Sequence, residues 1–218
     1  MSRTITIKGS GSVSTKPDYV IITLTLEAKD KQYEKAMHQA SEQIRQLQAA
    51  LGKGKFDEDA LKTSRFRVNT DYERVRDRNG DYSSVFNGYV VEHVLKLAFD
   101  FDMATLAAAL ATISSCHIQP ELSIAFTVKD PAAINSELLR SATENARKKA
   151  EIICAAAGVT LGSLIAINYD WGELDVYSHT RYEFAEHEYA LTPPSGTIDI
   201  TPEDISLSDS VTFVWEIV

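Results

Sequence analysis

Apolar residues recur at steps of three and four between Pro131 and Gly158: Leu139, Ala142, Ala146, Ala150, Ile153 and Ala157 share one side of a 3.6-residue period. Ile134, Leu138, Ile152 and Ala156 widen that stripe, while Glu137, Arg140, Glu144, Arg147, Lys148 and Glu151 fall opposite. The segment predicts a long helix with both ends marked. Asp130 can cap the first turn, Pro131 suits the first helical position because its missing N–H has no intrahelical partner to lose, and Gly158 supplies a left-handed terminus. Alanines along the packing stripe let the helix backbone come close to its neighbour, which points to a helix laid across a sheet.

The strands of that sheet show as alternation with period two. Thr4 to Ser14 alternates weakly and carries Gly9 and Gly11, marks of a bulge or a close backbone approach. Tyr19 to Ala28 sets Ile22, Leu24, Leu26 and Ala28 on one face and Ile21, Thr23, Thr25 and Glu27 on the other. With Thr15–Asp18 as a turn, these two strands are expected to form a hairpin. From Lys31 to Leu51 the period becomes helical, with Tyr33, Ala36, Met37, Ala40, Ile44, Leu47 and Leu51 at helical spacing and Gly52 and Gly54 at the end.

Asn79-Gly80 then separates two extended runs, Leu61–Arg78 and Asp81–Phe99, which is a strong hairpin signal. The arms near its tip are too charged for a core, so this hairpin is expected to project. In its base Val91, His93, Leu95, Leu97 and Phe99 alternate inward. His93 is expected as a buried, hydrogen-bonded histidine, with a catalytic role as the alternative. A short helix over Asp102–Ser114, a strand opened by Pro120, a strand over Gly162–Tyr169 and a closing strand over Ser210–Val218 complete the pattern. Asp170–Asp209 is irregular, aromatic and acidic, and reads as a long loop or arm.

Hairpins with single helices between them predict an α+β fold: a mixed or largely antiparallel sheet with helices packed on one face. The expected organisation is one domain over residues 1–218, with the 61–99 hairpin as a smaller subdivision and 170–209 as the arm.

Charge narrows the partners. The formal net charge is −9 and the sequence pI about 5.1, which argues against a nucleic-acid partner and against docking on anionic lipid. No run approaches the ~18 apolar residues of a membrane span. The opening MSRTITIKGSGS holds no apolar stretch that could serve as a secretory signal, so the expected location is cytoplasmic, or periplasmic or secreted if a leader has been removed. Cys116 and Cys154 have no CxxC spacing and read as two small half-buried residues in a reducing compartment.

Candidate chemistry is sparse, and no cofactor is expected. His179, Glu183 and His187 sit at helical spacing in the 170–209 segment and could hold a divalent metal if that segment were helical, although the spacing matches no metalloenzyme motif. Ser10 and Ser12 among glycines hint at a phosphate cradle, but no helix N-terminus follows them. Cys116-His117 is a thiol beside an imidazole with no identifiable carboxylate partner. Tyr72, Arg74, Arg76 and Tyr82 on the charged hairpin have the composition of interface anchors.

Four stretches, taken in order, resemble the SIMPL-domain (DUF541) family, which includes bacterial periplasmic and outer-membrane-associated proteins. They are Ile7–Val13 with Pro17-Asp18; Asn87-Gly88-Tyr89-Val90-Val91 with the strand to Phe99; Ala146–Gly162 with Leu161-Gly162; and Ile200-Thr201-Pro202 with the final strand Val211–Ile217. The resemblance covers nearly the whole chain. It implies an α+β fold, ring-like or channel-like homo-oligomers and an association with oxidative or envelope stress. It supplies no catalytic residues. The function expected is therefore a non-enzymatic, self-associating or protein-interaction role, with a metal-binding protein or hydrolase using His179, Glu183 and His187 as the alternative.

Overall fold

The structure is a computed structural model, and it describes residues 3–54, 56–57, 60–76, 82–116, 118, 120–170, 174–184 and 200–218. Within these the element order is β1 (Thr4–Thr15), β2 (Tyr19–Asp30), α1 (Tyr33–Lys53), β3 (Leu61–Arg76), β4 (Tyr82–Asp100), α2 (Met103–Ser115), β5 (Glu121–Thr127), α3 (Pro131–Ala157), β6 (Leu161–Asn168), β7 (Tyr177–Phe184) and β8 (Ile205–Ile217). The strands form two open sheets, one ordered β1-β8-β6 and one ordered β3-β4-β2-β5-β7. The pairs β1–β8, β6–β8, β2–β4 and β3–β4 are all antiparallel. The fold is α+β.

The chain divides into two compact units. The first comprises residues 1–18, 127–179 and 202–218. In it α3 lies against β1 and β8, and Ile7, Val211, Phe213 and Trp215 pack on Ala142, Ala146 and Ala150. The helix ends are built as the sequence indicates: Asp130 Oδ1 accepts from Ala133 N–H at 3.0 Å, and Gly158 closes the helix at φ 71°. Its buried ridge is Leu138, Ala142, Ala146, Ala150 and Cys154, so the expected stripe is rotated. The contact follows a strict i, i+4 ridge, which drifts around the helix. Ile153, placed inward from periodicity, is left 47% exposed.

The alanine ridge meets the two glycines of β1. A Cβ on Gly9 would lie 2.1 Å from Ala142 O and 2.6 Å from Ala146 Cβ; one on Gly11 would lie 2.2 Å from Leu138 O. Ser10 N–H donates to Asn145 Oδ1 at 3.1 Å on the same seam. These glycines therefore serve a close approach of strand and helix, and GSGS is not a phosphate cradle.

The second unit comprises residues 19–126 and 180–201. Ile22, Leu24, Leu26 and Ala28 are all buried, as their alternation requires; Ile22, Leu24 and Leu26 share one core cluster with Leu95, Leu97, Leu47, Leu106 and Phe126, and Ala28 packs with Ala36, Ala40 and Val91. Asp102 caps α2, its carboxylate accepting from both N–H and hydroxyl of Thr105 at 2.8 Å. Those two hydrogen bonds hold the Asp102 carboxyl below its ordinary range.

Two expectations about pairing fail. β1 and β2 do not form a hairpin: β1 runs along β8 from Thr4↔Glu216 to Thr15↔Ile205, and β2 along β4 from Tyr19↔Asp100 to Asp30↔Tyr89. The Thr15–Asp18 segment is a crossing, anchored where Asp18 N–H donates to Thr127 O at 3.1 Å and Asp18 Oδ1 accepts from Lys129 N–H at 2.7 Å. The expected 170–209 loop also contains strand. β7 carries Ser178 buried and Tyr177 exposed, with Val176 buried just before it, and β8 begins at Ile205 rather than Ser210. Polar residues masked that alternation: Ser178 Oγ donates to Glu203 O at 2.7 Å, a tertiary bond invisible to periodicity. The expected breaker Pro193–Gly196 lies outside the described residues.

Candidate interaction surface

The β3–β4 hairpin changes character halfway along. Its base is core: Val91, Leu95 and Leu97 are buried, and so is His93, at 6% exposure. His93 Nε2 lies 2.8 Å from Thr63 Oγ1, and its ring stands perpendicular to that of Phe66 with the ring centres 5.0 Å apart. Its Nδ1 is buried without a hydrogen-bond partner among the described residues, where the expected satisfied histidine is only half satisfied. Burial pushes its pKa down from the ordinary value, because the imidazolium would lose water.

A break in register between Asp71 and Tyr72 divides base from outer half. There Gly88 adopts φ 142°, and a Cβ on it would sit 2.6 Å from Asp30 O. The conformation and the space both require glycine. Asp71 fastens the break, accepting from Asn87 Nδ2 at 2.8 Å and from the Lys29 ammonium. The Lys29 contact, then Asn87, holds the Asp71 carboxyl below its ordinary range.

Beyond the break every described residue from Tyr72 to Phe86 is exposed. The pairs Tyr72↔Phe86, Arg74↔Ser84 and Arg76↔Tyr82 share one face, because directly opposed residues of antiparallel strands point the same way. Tyr72 and Tyr82 are 57% and 60% exposed. The Arg74 guanidinium lies 5.1 Å from the centre of the Tyr82 ring and that of Arg76 5.9 Å, within cation–π range. Edge-to-face contacts continue the surface toward the base: Tyr72 to Phe86 at 5.8 Å, Phe86 to Tyr89 at 5.3 Å and Tyr89 to Tyr33 at 5.6 Å. Val75 and Val85 are exposed on the other face.

All four anchors expected from sequence, Tyr72, Arg74, Arg76 and Tyr82, thus stand together. Sequence reasoning missed Phe86, which the alternation Tyr82, Ser84, Phe86 would have found. Tyr33, at helical spacing with the buried residues of α1, is 49% exposed and ends the row of rings. That Tyr89 continues the row could not be found by alternation, since the register break shifts the phase. The Asn79-Gly80 turn lies outside the described residues.

The other candidates are not brought together. His179 is exposed on β7, and Glu183 lies four residues along the same strand. Four strand residues span about 13 Å, so the helical spacing on which a metal site depended is absent. His187 and His117 lie outside the described residues. Among the described residues no group of three or more His, Cys, Asp or Glu is placed to hold a metal. Cys116 and Cys154 are free thiols. Burial raises the Cys116 pKa, the wrong direction for a thiolate nucleophile.

The family model described as SIMPL, a protein of unknown function (DUF541), matches residues 5–215. The chain belongs to the SIMPL family. Two relatives, each named 26 kDa periplasmic immunogenic protein, come from Brucella melitensis biotype 1 and Brucella abortus strain S19. Each is 24% identical over 164 residues, 75% of this chain and 65% of the relative's own length. Their periplasmic naming overturns the cytoplasmic expectation. In the described residues no helix is long and apolar enough to cross a membrane. Three of the four stretches that carried the SIMPL resemblance hold glycines that the fold requires: Gly9 and Gly11 against α3, Gly88 at the register break, Gly158 at φ 71° at the helix end, and Gly162, whose Cβ would lie 3.0 Å from Glu216 O.

Proposed function

We propose that this SIMPL chain is a non-enzymatic, self-associating protein of the bacterial envelope that docks through the outer half of its β3–β4 hairpin. The observation that carries the reading is the ordered row of exposed rings with Arg74 and Arg76 stacked on Tyr82. A two-stranded ribbon without a core is marginal in water. Its cross-strand pairs each contribute only about 0.2–1 kcal/mol. Tyrosine and arginine in such a setting are favoured as binding anchors. A second copy of the chain is the partner proposed, and a location in the periplasm follows the naming of the Brucella relatives. The stress association implied by the family resemblance belongs to the same reading. Light scattering of the purified chain tests it: mass should exceed that of one copy and rise with concentration. A strict monomer at every concentration overturns the proposal.

A further inference from the structure

In the β1-β8-β6 sheet β1 is an edge, with β8 on one side of it. Ile217 N–H donates to Arg3 O at 2.9 Å, and the β1–β8 register runs on from there without a break to Thr15↔Ile205. Odd-numbered residues of β1 therefore bond to β8, and even-numbered ones turn N–H and C=O outward. An edge of this kind is a template for another extended chain, and proteins usually close it with charge or proline. The side chains at the even positions, Thr4, Thr6, Lys8, Ser10, Ser12 and Ser14, are exposed, and of these six only Lys8 is charged. The closure comes from α3 instead. Ser10 N–H donates to Asn145 Oδ1 at 3.1 Å, and Lys149 Nζ donates to Lys8 O at 3.3 Å.

We infer that Asn145 and Lys149 stand in for a neighbouring strand and close the β1 edge to pairing by other extended polypeptide. Asn145 Oδ1 accepts where a strand's carbonyl would, and the Lys149 ammonium donates where a strand's N–H would. The spacing suits the substitution. Lys8 and Ser10 are about 6.8 Å apart along the strand, and Asn145 and Lys149 about 6.0 Å along the helix. The glycines keep the same step of two strand residues to four helix residues: Gly11 meets Leu138 and Ala142, and Gly9 meets Ala142 and Ala146. Strand and helix thus run antiparallel and stay level over this stretch. The absence of Cβ atoms at Gly9 and Gly11 brings the helix close enough for polar side chains on its flank to reach the outer edge of the strand. The seam that packs the first unit therefore also shuts a route of strand addition. Lys149 sets a second cation beside Lys8, on an edge otherwise without charge.

Asn145→Leu/Lys149→Met in the full chain removes both bonds while keeping side chains of similar size. The Ser10 amide should then exchange about five-fold faster, the ratio that one net hydrogen bond supplies, while Ser12, the next outward residue, keeps its rate. Asn145→Asp retains the acceptor and should leave Ser10 slow. With an unchanged far-ultraviolet circular dichroism spectrum, the double variant should gain light-scattering mass over the wild type as concentration rises. The gain should persist when Tyr72→Ala/Tyr82→Ala is added, which separates it from docking through the hairpin. Ser12→Lys places a charge on the opened edge and should return the mass to its starting value. Lys149→Met alone, at an exposed position where folding is not at stake, should show a smaller gain with the same reversal. Unchanged Ser10 exchange in the double variant, no gain in mass, or a gain that Ser12→Lys does not reverse overturns the inference and leaves the hairpin reading standing.

Discussion

Replacing Gly9 by alanine probes the seam on which the first unit is built. The new Cβ would lie 2.1 Å from Ala142 O, 2.6 Å from Ala146 Cβ and 2.8 Å from Ala146 N, where ordinary contact begins near 3.4 Å. Relief needs more than 1 Å of movement, and the obstacles include helix backbone, which cannot swing aside. The helix must lift from β1, and a gap of 0.5–1 Å already forfeits about a quarter to a half of each dispersion contact beneath it. Overpacking of this kind costs about 1–3 kcal/mol, and the severity of the clash places Gly9→Ala near or above 3 kcal/mol. In a chain of this size that lowers Tm by roughly 6–12 °C. Gly52→Ala is the control. Gly52 lies in α1 with nothing within 4 Å of a built Cβ, so alanine should stabilise by about 0.5–1 kcal/mol. Thermal and urea unfolding of the two variants beside the wild type give the comparison. Gly11→Ala added to Gly9→Ala should cost less than the sum, because the helix has already lifted. A Gly9→Ala chain within about 0.5 kcal/mol of wild type, the scatter expected of an inert surface change, would refute the close approach of β1 and α3.

Two further outcomes follow from the second unit. Gly88→Ala places a side chain at φ 142° against Asp30 O, at a cost of about 1–3 kcal/mol, and should speed amide exchange across the outer hairpin before the core. His93 should make stability fall with acid. Its folded pKa lies below its ordinary value, so between the two the unfolded chain binds the extra proton; stability is full above about pH 6.5, falls as pH drops below it, and levels off under the folded pKa. The difference between wild-type and His93→Leu stability should vary with pH in that window, and a constant difference would show that His93 does not titrate on unfolding.

Much of the fold was legible because local signals and tertiary packing agree. Asp130, Pro131 and Gly158 bound α3 as their chemistry dictates, and the β2 alternation gives the buried face. What periodicity could not supply was the partner of each strand. β1 carries the same pattern whether it pairs with β2 or with β8, and the choice lies in β8 at the far end of the chain. β7 was hidden for a related reason, since Ser178 is buried by a hydrogen bond to a residue 25 positions away. At the candidate surface, residue type identified Tyr72, Arg74, Arg76 and Tyr82, but the extent of the ring row depends on the register break at Asp71, which no spacing rule marks.

The most direct test of the account is the solution mass of Tyr72→Ala/Tyr82→Ala beside that of the wild type, measured by light scattering over a range of concentrations. Both rings are more than half exposed, so the variant should remain folded while its mass falls. A folded variant with the mass of the wild type at every concentration would contradict the hairpin as a docking element.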